Sequence, residues 1–444
     1  MPLTVLSDAD VHSLLLSLTR DDIDELQHNL SEALHDYSTG TQETTTACSA
    51  NQPQRIAVPA PNNQATLFMP ASTNTSRGIK IVTLSRAPIP SREPSLSKLS
   101  IDSPRSGSPG RQSPSIVSSR SSTPTISHTP SIASSRSSEP SIASSQTTTP
   151  RGSLTLLTSN GSPYAFLAAE ELTAFRTALA SNIILNRRTS VHSITVFGAG
   201  KQAAWHIRLA LLLRGTEIHH VDIINRSFAR AKTLMHEFYT SPDWEDLRNA
   251  NPKLAFSILS SEYGDFQRLL KEHVRKADVI FMCTPSTSPL FPAEYLTNPE
   301  GRKKGRYISC IGSYRPHMVE IHPDILRQAV TPDHKHHHHK NADKGGVIVV
   351  DSLEACLKEA GEIIQAGITA EQLVEVGELL MVKKASMREI QLGTGEGEKG
   401  LKKWLMGGNV IYKSVGVGLM DICVGEDVVR LAMEKGVGTS VEGF

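Results

Sequence analysis

The 444-residue sequence lacks a dominant charge: 46 lysines and arginines stand against 45 aspartates and glutamates, a formal net charge of +1. Such a balance gives no field to gather nucleic acid or an anionic membrane, and neither is expected as a partner. Long apolar runs are lacking too, none approaching the roughly 20 residues of a membrane span. At the amino terminus, Met1-Pro-Leu-Thr-Val-Leu-Ser-Asp-Ala-Asp10 places acids where a signal peptide needs bases ahead of an apolar core. Cysteine is scarce, odd in number and scattered, at Cys48, Cys283, Cys310, Cys356 and Cys423. These read as reduced residues of an intracellular, cytoplasmic protein, not as a disulfide frame or zinc set. The length suits two domains.

Between Ser85 and Arg151 aromatics all but vanish and Ser, Pro, Thr and Arg take over. Such a mixture cannot bury enough apolar surface to offset its ordering entropy, so disorder is expected. The segment holds a degenerate repeat, Pro114-Ser-Ile-Val-Ser-Ser-Arg-Ser-Ser-Thr-Pro124 echoed at Pro130 to Pro140. Ser103, Ser108, Ser113, Thr123 and Thr129 each precede proline, which fits either proline-directed phosphorylation or an inert loop insertion. A second biased tract, His334-Lys-His336-His-His-His339, lies inside a loop. Imidazole runs can bind transition metals, yet no carboxylate or cysteine pattern fixes a geometry here, and no metal site is assigned.

What the sequence does have is Ser193-Ile-Thr-Val-Phe-Gly198-Ala199-Gly200-Lys201-Gln202-Ala203, an apolar β-rich run passing through a glycine loop into a helix. A dinucleotide pyrophosphate can sit on free backbone N–H groups at such a junction. Gly198 permits the turn, Gly200 lets a phosphate approach the backbone, and Ala203 stands at the third, alanine-tolerant position. The next strand ends in Asn225-Arg226-Ser227, about 25 residues on, where the ribose is read. An arginine there suits a 2′-phosphate that a carboxylate would repel, so NADP(H) is expected over NAD(H). The alternative is that Arg226 is an ordinary solvated arginine.

Helices are expected over Ala9–Leu18 and Asp21–Tyr37, opened by capping residues such as Ser7 or Asp21, and over Glu170–Arg188. Strand-like pieces lie around Arg55-Ile-Ala-Val, Thr66–Met69 and Gly78–Leu84, with a hairpin across Ser159-Asn-Gly161. Then strands at Ser193–Phe197, Ile218–Ile224, Ala255–Leu259, Asp278–Thr284, Arg306–Gly312 and Gly346–Asp351 alternate with helices. That is the doubly wound parallel α/β pattern, with its ligand crevice at the carboxyl ends of the strands.

The ordered motifs together resemble the ornithine cyclodeaminase/mu-crystallin family. They are Gln52-Pro-Gln-Arg55, Met69-Pro70, Gly78-Ile-Lys80-Ile-Val-Thr83, Leu172-Thr-Ala-Phe-Arg176-Thr177-Ala, the glycine loop, Asn225-Arg226-Ser227, Cys283-Thr284-Pro285-Ser286, Ile311-Gly312-Ser313-Tyr314-Arg-Pro316-His-Met318-Val-Glu320, Val350-Asp351-Ser, Glu359-Ala-Gly-Glu362 and Lys413-Ser414-Val-Gly416. The resemblance implies a homodimer with a Rossmann-type domain plus an α+β substrate and dimerisation domain built from both chain ends. Its parts would be 1–84, 151–190 and 409–444, with the insert at 85–150 and the nucleotide domain at 191–408, the latter holding the His-rich loop at 333–346. It also implies that Arg55, Lys80 and Arg176 clamp the carboxylate of a small amino or imino acid. Thr177, Gly198–Gln202, Asn225–Ser227, Cys283–Pro285, Ile311–Ser313, Lys413, Ser414 and Gly416 would bind the cofactor, with Asp421 near its nicotinamide end. Taken alone, Lys80 could be a solvent-facing strand residue and Arg176 a surface ion pair.

One departure matters. Ornithine cyclodeaminases carry an aspartate base where Tyr314 stands, and a phenol is a poor base at neutral pH. Gly-Ser-Tyr-x-Pro-x-Met-x-Glu is closer to the ketimine reductase branch. The expected function is NAD(P)H-dependent reduction of a cyclic ketimine such as pyrroline-2-carboxylate or piperideine-2-carboxylate, with a protonated imine or a donor such as Lys80 balancing charge. The rivals are ornithine cyclodeamination with bound NAD, amino-acid dehydrogenation, and storage of NADPH with a small ligand.

Overall fold

A computed structural model describes residues 2–43, 52–60, 64–85, 151–331, 346–380 and 396–444. The Ser/Pro-rich repeat with its Ser-Pro and Thr-Pro sites, the His334–His339 tract and Cys48 lie outside the described residues.

The first of two sheets contains β1 (Leu3–Leu6), β2 (Ile56–Ala60), β3 (Gln64–Ser72), β4 (Arg77–Ser85), β5 (Arg151–Leu157), β6 (Pro163–Ala168) and β15 (Thr439–Val441), in the order β15-β1-β6-β5-β4-β3-β2. Pairing is antiparallel except where β1 runs parallel to β6. Leu3 faces Val441, so strands from both ends of the chain join one sheet. Gly161, at φ 90°, turns the β5–β6 hairpin. β1 escapes sequence reading because four residues carry too little alternation to register.

The second sheet is wholly parallel. β7 (Ser193–Phe197), β8 (His220–Ile224), β9 (Ala255–Leu259), β10 (Val279–Met282), β11 (Tyr307–Cys310), β12 (Ile348–Val350), β13 (Leu373–Glu375) and β14 (Val410–Lys413) stand in the order β13-β12-β14-β11-β10-β7-β8-β9. The reversal of order beside β7 is the doubly wound arrangement, and the expected α/β class is borne out. Thr284 and Gly312 fall outside the strands expected to include them, because their N–H groups bind the Glu320 side chain instead of a neighbouring strand. β14, placed by the sequence reading in the terminal part of the substrate domain, instead pairs with β11 and β12. Its four residues are all buried, as a central parallel strand requires.

Helices in chain order are α1 (Asp8–Leu16), α2 (Arg20–Glu43), α3 (Glu170–Leu185), α4 (Lys201–Arg214) and α5 (Phe228–Thr240), with shorter ones following and Gly418–Lys435 near the end. Ser7 caps α1 through a reciprocal pair with Asp10. Thr19, not Asp21, opens α2, pairing in the same way with Asp22, which lies three residues on where the geometry closes. The Gly418–Lys435 helix packs on β3, β4 and β5 and against α2 and α3. Along β4 the alternate residues Gly78, Lys80, Val82 and Leu84 are the buried ones, so Lys80 points with the core face and not to solvent.

Candidate active site

The carboxyl end of β7 runs into Gly198, at φ 111°, where a Cβ would lie 2.8 Å from the Cys283 carbonyl oxygen. Only glycine suits that backbone and that contact. Gly200 precedes α4, no side chain caps the helix, and nothing lies within 4 Å of where a Gly200 Cβ would be. The junction therefore offers uncommitted first-turn N–H groups and open space above them, which a dinucleotide pyrophosphate fits. Asn225 and Ser227 shape the turn after β8: Asn225 donates to the Ser227 carbonyl at 2.8 Å, and Ser227 caps α5. Arg226 between them is exposed and has no side-chain partner among the described residues.

Lys201, expected among the cofactor-binding residues, turns its side chain to three carboxylates. Its ammonium lies 2.6 Å from Glu171 and 3.0 Å from Glu170, with Asp8 at 3.4 Å. Burial alone would lower its pKa, but hydrogen bonds to these carboxylates raise it further. Gln202 reaches back toward the Thr173 carbonyl at 3.4 Å, and Thr177 bonds that same carbonyl at 2.8 Å. Ala199 is half-buried in the glycine loop.

Cys283, Thr284 and Pro285 follow β10; Ile311, Gly312 and Ser313 follow β11; Lys413 ends β14, and Ser414 and Gly416 follow it. The fold thus brings all three loops to the carboxyl side of adjacent strands. Several of their side chains are committed to one another. Buried Lys413 donates to Ser313 Oγ at 2.7 Å and sits 3.1 Å from Glu362. Asp351 accepts from Ser414 Oγ and from the Gly416 N–H, each at 2.7 Å.

Glu320 holds two of these loops together, a role not assigned to it from sequence. One of its oxygens accepts from the Thr284 N–H at 2.8 Å, the other from Gly312 at 2.6 Å and Ser313 at 3.1 Å. Burial pushes its carboxyl up to about 8, against the pull of Lys413. Its place in the Gly-Ser-Tyr-x-Pro-x-Met-x-Glu run was the available signal.

A charged cluster next to the cleft residue Gly416 comes from distant segments. Lys80 on β4 donates to Asp421 Oδ1 at 2.7 Å, and Arg176 on α3 donates through Nε to the same oxygen at 3.2 Å. All three residues are buried. Lys80 Nζ has no other partner among the described residues, so two of its N–H groups stay uncommitted. Arg176 Nη1 meets only the Met420 sulfur, at 3.3 Å. Gly416, at φ 83°, leaves room beside that guanidinium, since a Cβ there would fall 2.9 Å from Arg176 Nη2. Asp421 Oδ2 is buried without a hydrogen-bond partner, a state that costs on the order of 1–3 kcal/mol or more. Burial lowers the Lys80 ammonium to about 8, partly offset by Asp421, with Arg176 pulling it further down.

Arg55 lines a cleft with Gln52, Met69, Gly416 and Val417, and its Nε donates to Glu359 at 2.7 Å. Its guanidinium pKa is lowered by burial and by the charges of Arg315 and Arg176, and Arg55 in turn lowers that of Lys80. The three cations named from sequence therefore act on one another within a single cluster. Tyr314 packs against the small cluster of Met69, Val82 and Leu84, with the Arg315 guanidinium 5.6 Å from its ring centre. Burial raises its phenol above the ordinary value, leaving even less phenolate to act as a base at neutral pH.

A glycine loop feeding an uncapped helix, at the switch point of a parallel sheet beside a cationic cluster, defines a Rossmann-type α/β fold. Comparison with known proteins agrees. No family model matches the chain. Over 289 residues it is 26% identical to a Δ1-pyrroline-2-carboxylate reductase of Bacillus cereus, covering 64% of this chain and 71% of that one. It is 28% identical over 226 residues to the ketimine reductase mu-crystallin of Mus musculus, covering 50% and 56%. Among solved structures, the Δ1-pyrroline-2-carboxylate reductase of Thermococcus litoralis, in complex with NADH and L-proline, superposes with TM-score 0.61 at 17% identity, covering 99% and 100%. A lysine cyclodeaminase superposes with TM-score 0.62 at 15% identity, covering 99% and 95%. The resemblance to the ornithine cyclodeaminase/mu-crystallin family is borne out, on its ketimine reductase side. Among the described residues no helix is long and apolar enough to cross a membrane, and no group of three His, Cys, Asp or Glu is placed to hold a metal.

Proposed function

We propose that the protein reduces a small cyclic ketimine, of the pyrroline-2-carboxylate or piperideine-2-carboxylate type, to the cyclic amino acid. The observation that carries this reading is that Lys80 and Arg176 share one oxygen of Asp421 while keeping N–H donors uncommitted. Two cations with one carboxylate between them favour a second carboxylate, that of the substrate. Arg55 adds a third cation from the cleft wall. Such a clamp fixes the reacting carbon, and orientation of that kind is worth several kcal/mol.

Gly198, Gly200 and the first turn of α4 would hold the pyrophosphate, with the loops after β10, β11 and β14 lining the remainder of the cofactor cleft. Exposed Arg226 supports a preference for the 2′-phosphorylated dinucleotide. When bound, that group supplies the hydride. We read the chain as a cytoplasmic homodimer, with the substrate domain drawn from both ends and β14 reassigned to the nucleotide domain. Names borne by the sequence relatives support the activity. Buried Tyr314 disfavours cyclodeamination, which needs a base at that position.

The test is a screen of cyclic imino acids with reduced NADP and reduced NAD. Oxidation of the dinucleotide by five- or six-membered ketimines is the expected result. Ammonia release from ornithine without net dinucleotide change would point to the lyase, and tight binding without turnover to a storage role.

A further inference from the structure

The two oxygens of Asp421 are unlike. Oδ1 takes an N–H from Lys80 at 2.7 Å and from Arg176 at 3.2 Å, whereas Oδ2, equally buried, has no hydrogen-bond partner. Asp421 stands in the first turn of the Gly418–Lys435 helix, three residues beyond Gly418, which lines the cleft. As counter-ion to two cations it is a carboxylate, and a carboxylate oxygen can only accept. A ligand that satisfies the site therefore has to bring a donor as well as an anion. On the ketimine reading, on which this step rests, the substrate carboxylate goes to the uncommitted N–H groups of Lys80 and Arg176. The donor on the same small ring is its nitrogen, which carries a proton in the iminium and in the product amine.

We infer that Asp421 Oδ2 accepts the ring N–H of the bound iminium and of the product, which makes Asp421 a catalytic residue. The protonated imine is the form whose carbon accepts hydride readily, so the contact selects the reactive species. As the new C–H bond forms, the C=N π pair becomes the nitrogen lone pair. The N–H stays in place, and Asp421 neither gains nor loses a proton. The neutral, unprotonated imine has no donor to offer and would set its lone pair against a carboxylate oxygen.

Two ring acids of nearly equal size separate this role from mere support of the clamp. L-Proline carries a ring N–H donor, and (S)-tetrahydrofuran-2-carboxylate carries a ring oxygen that only accepts. Their binding is measured by calorimetry on the full chain with saturating oxidised dinucleotide. The wild type should bind proline about 10–100-fold more tightly than the oxygen analogue, the range of a charge-assisted hydrogen bond. Asp421→Asn should lower proline affinity by about that factor and change the analogue by less than about threefold. Equal affinities in the wild type overturn the inference, and that arm does not depend on the variant folding. Equal losses for both ligands in Asp421→Asn also overturn it, leaving Asp421 a support for Lys80 and Arg176. If neither acid binds the wild type, the carboxylate clamp itself fails and the inference with it.

Discussion

At the mouth of β7 the chain presents backbone, a glycine loop and an uncapped helix start contained within Phe197–Lys201, whereas around Asp421 it presents side chains from β4, α3 and a helix near the carboxyl end. The first region is contiguous and indifferent to most neighbouring side chains. The second exists only after residues 80, 176 and 421 have been folded onto one another. A backbone site fails when the chain cannot adopt its angles or a Cβ intrudes, and a side-chain site fails when one charge is removed. The two ends should therefore respond to substitution independently.

The largest effect is expected at the side-chain end. Lys80→Met removes a buried cation and leaves Arg176 alone on Asp421. On the proposed reading kcat/KM for the cyclic imino acid should fall about 10³-fold, combining a lost charge-assisted hydrogen bond with lost orientation. Dinucleotide affinity, measured by fluorescence titration, should stay within about twofold. A comparable fall in both quantities would mean that the two ends are one coupled unit.

At the backbone end two neighbouring glycines should part company. Gly198→Ala puts a Cβ 2.8 Å from a carbonyl oxygen at φ 111°, which strains the loop by on the order of 1–3 kcal/mol. Melting temperature and dinucleotide affinity should both drop, the latter by about 100-fold as the loop shifts away from the pyrophosphate. Gly200→Ala meets nothing within 4 Å, so the melting temperature should hold while dinucleotide affinity falls about tenfold, because the added methyl stands where a phosphate approaches. Unchanged affinity in Gly200→Ala would remove the phosphate from that loop.

This division also explains what could be read in advance. The Ser193–Ala203 run was legible because strand, glycine spacing and helix lie within a few residues, and local sequence is enough to specify them. The individual cations could be named only through a family pattern, since nothing near Lys80 says which face of β4 it occupies. That is decided by the alternation of Gly78, Val82 and Leu84 against the Gly418–Lys435 helix. Asp421 as the shared partner of Lys80 and Arg176, and Glu320 as the tie between the β10 and β11 loops, are long-range facts. So is the position of β14, whose four residues enter the middle of a sheet begun more than two hundred residues earlier. A run that short has no period of its own to reveal its neighbours.

Arg226 is a side chain serving the backbone end, and it sharpens the contrast by a smaller amount. Arg226→Ala should weaken binding of the 2′-phosphorylated dinucleotide about 30-fold, while the unphosphorylated form stays within about twofold. Both are measured by the same titration. Equal effects on the two dinucleotides would make Arg226 an ordinary solvated residue and leave the cofactor preference without a cause.

The mildest handle is pH, and its direction follows from Lys80. Burial brings that ammonium to about 8, below the ordinary lysine value, so it is charged at neutral pH and loses its proton as pH rises through 8. A carboxylate ligand held by the clamp should therefore bind about tenfold more weakly at pH 9 than at pH 7, following the fraction of ammonium remaining. Tetrahydrofuran-2-carboxylate is the suitable probe because its ring does not titrate. Stability responds in the opposite sense: between about 8 and the higher pKa of an unfolded lysine, the unfolded chain binds more protons, so this residue makes the fold more stable as pH rises. Weakened ligand binding at pH 9 without a lower melting temperature would thus be the signature of Lys80 and not of unfolding. Lys80→Arg, charged throughout this range, should flatten the profile. A profile that keeps its inflection in Lys80→Arg would assign the titration to another group and detach Lys80 from the carboxylate.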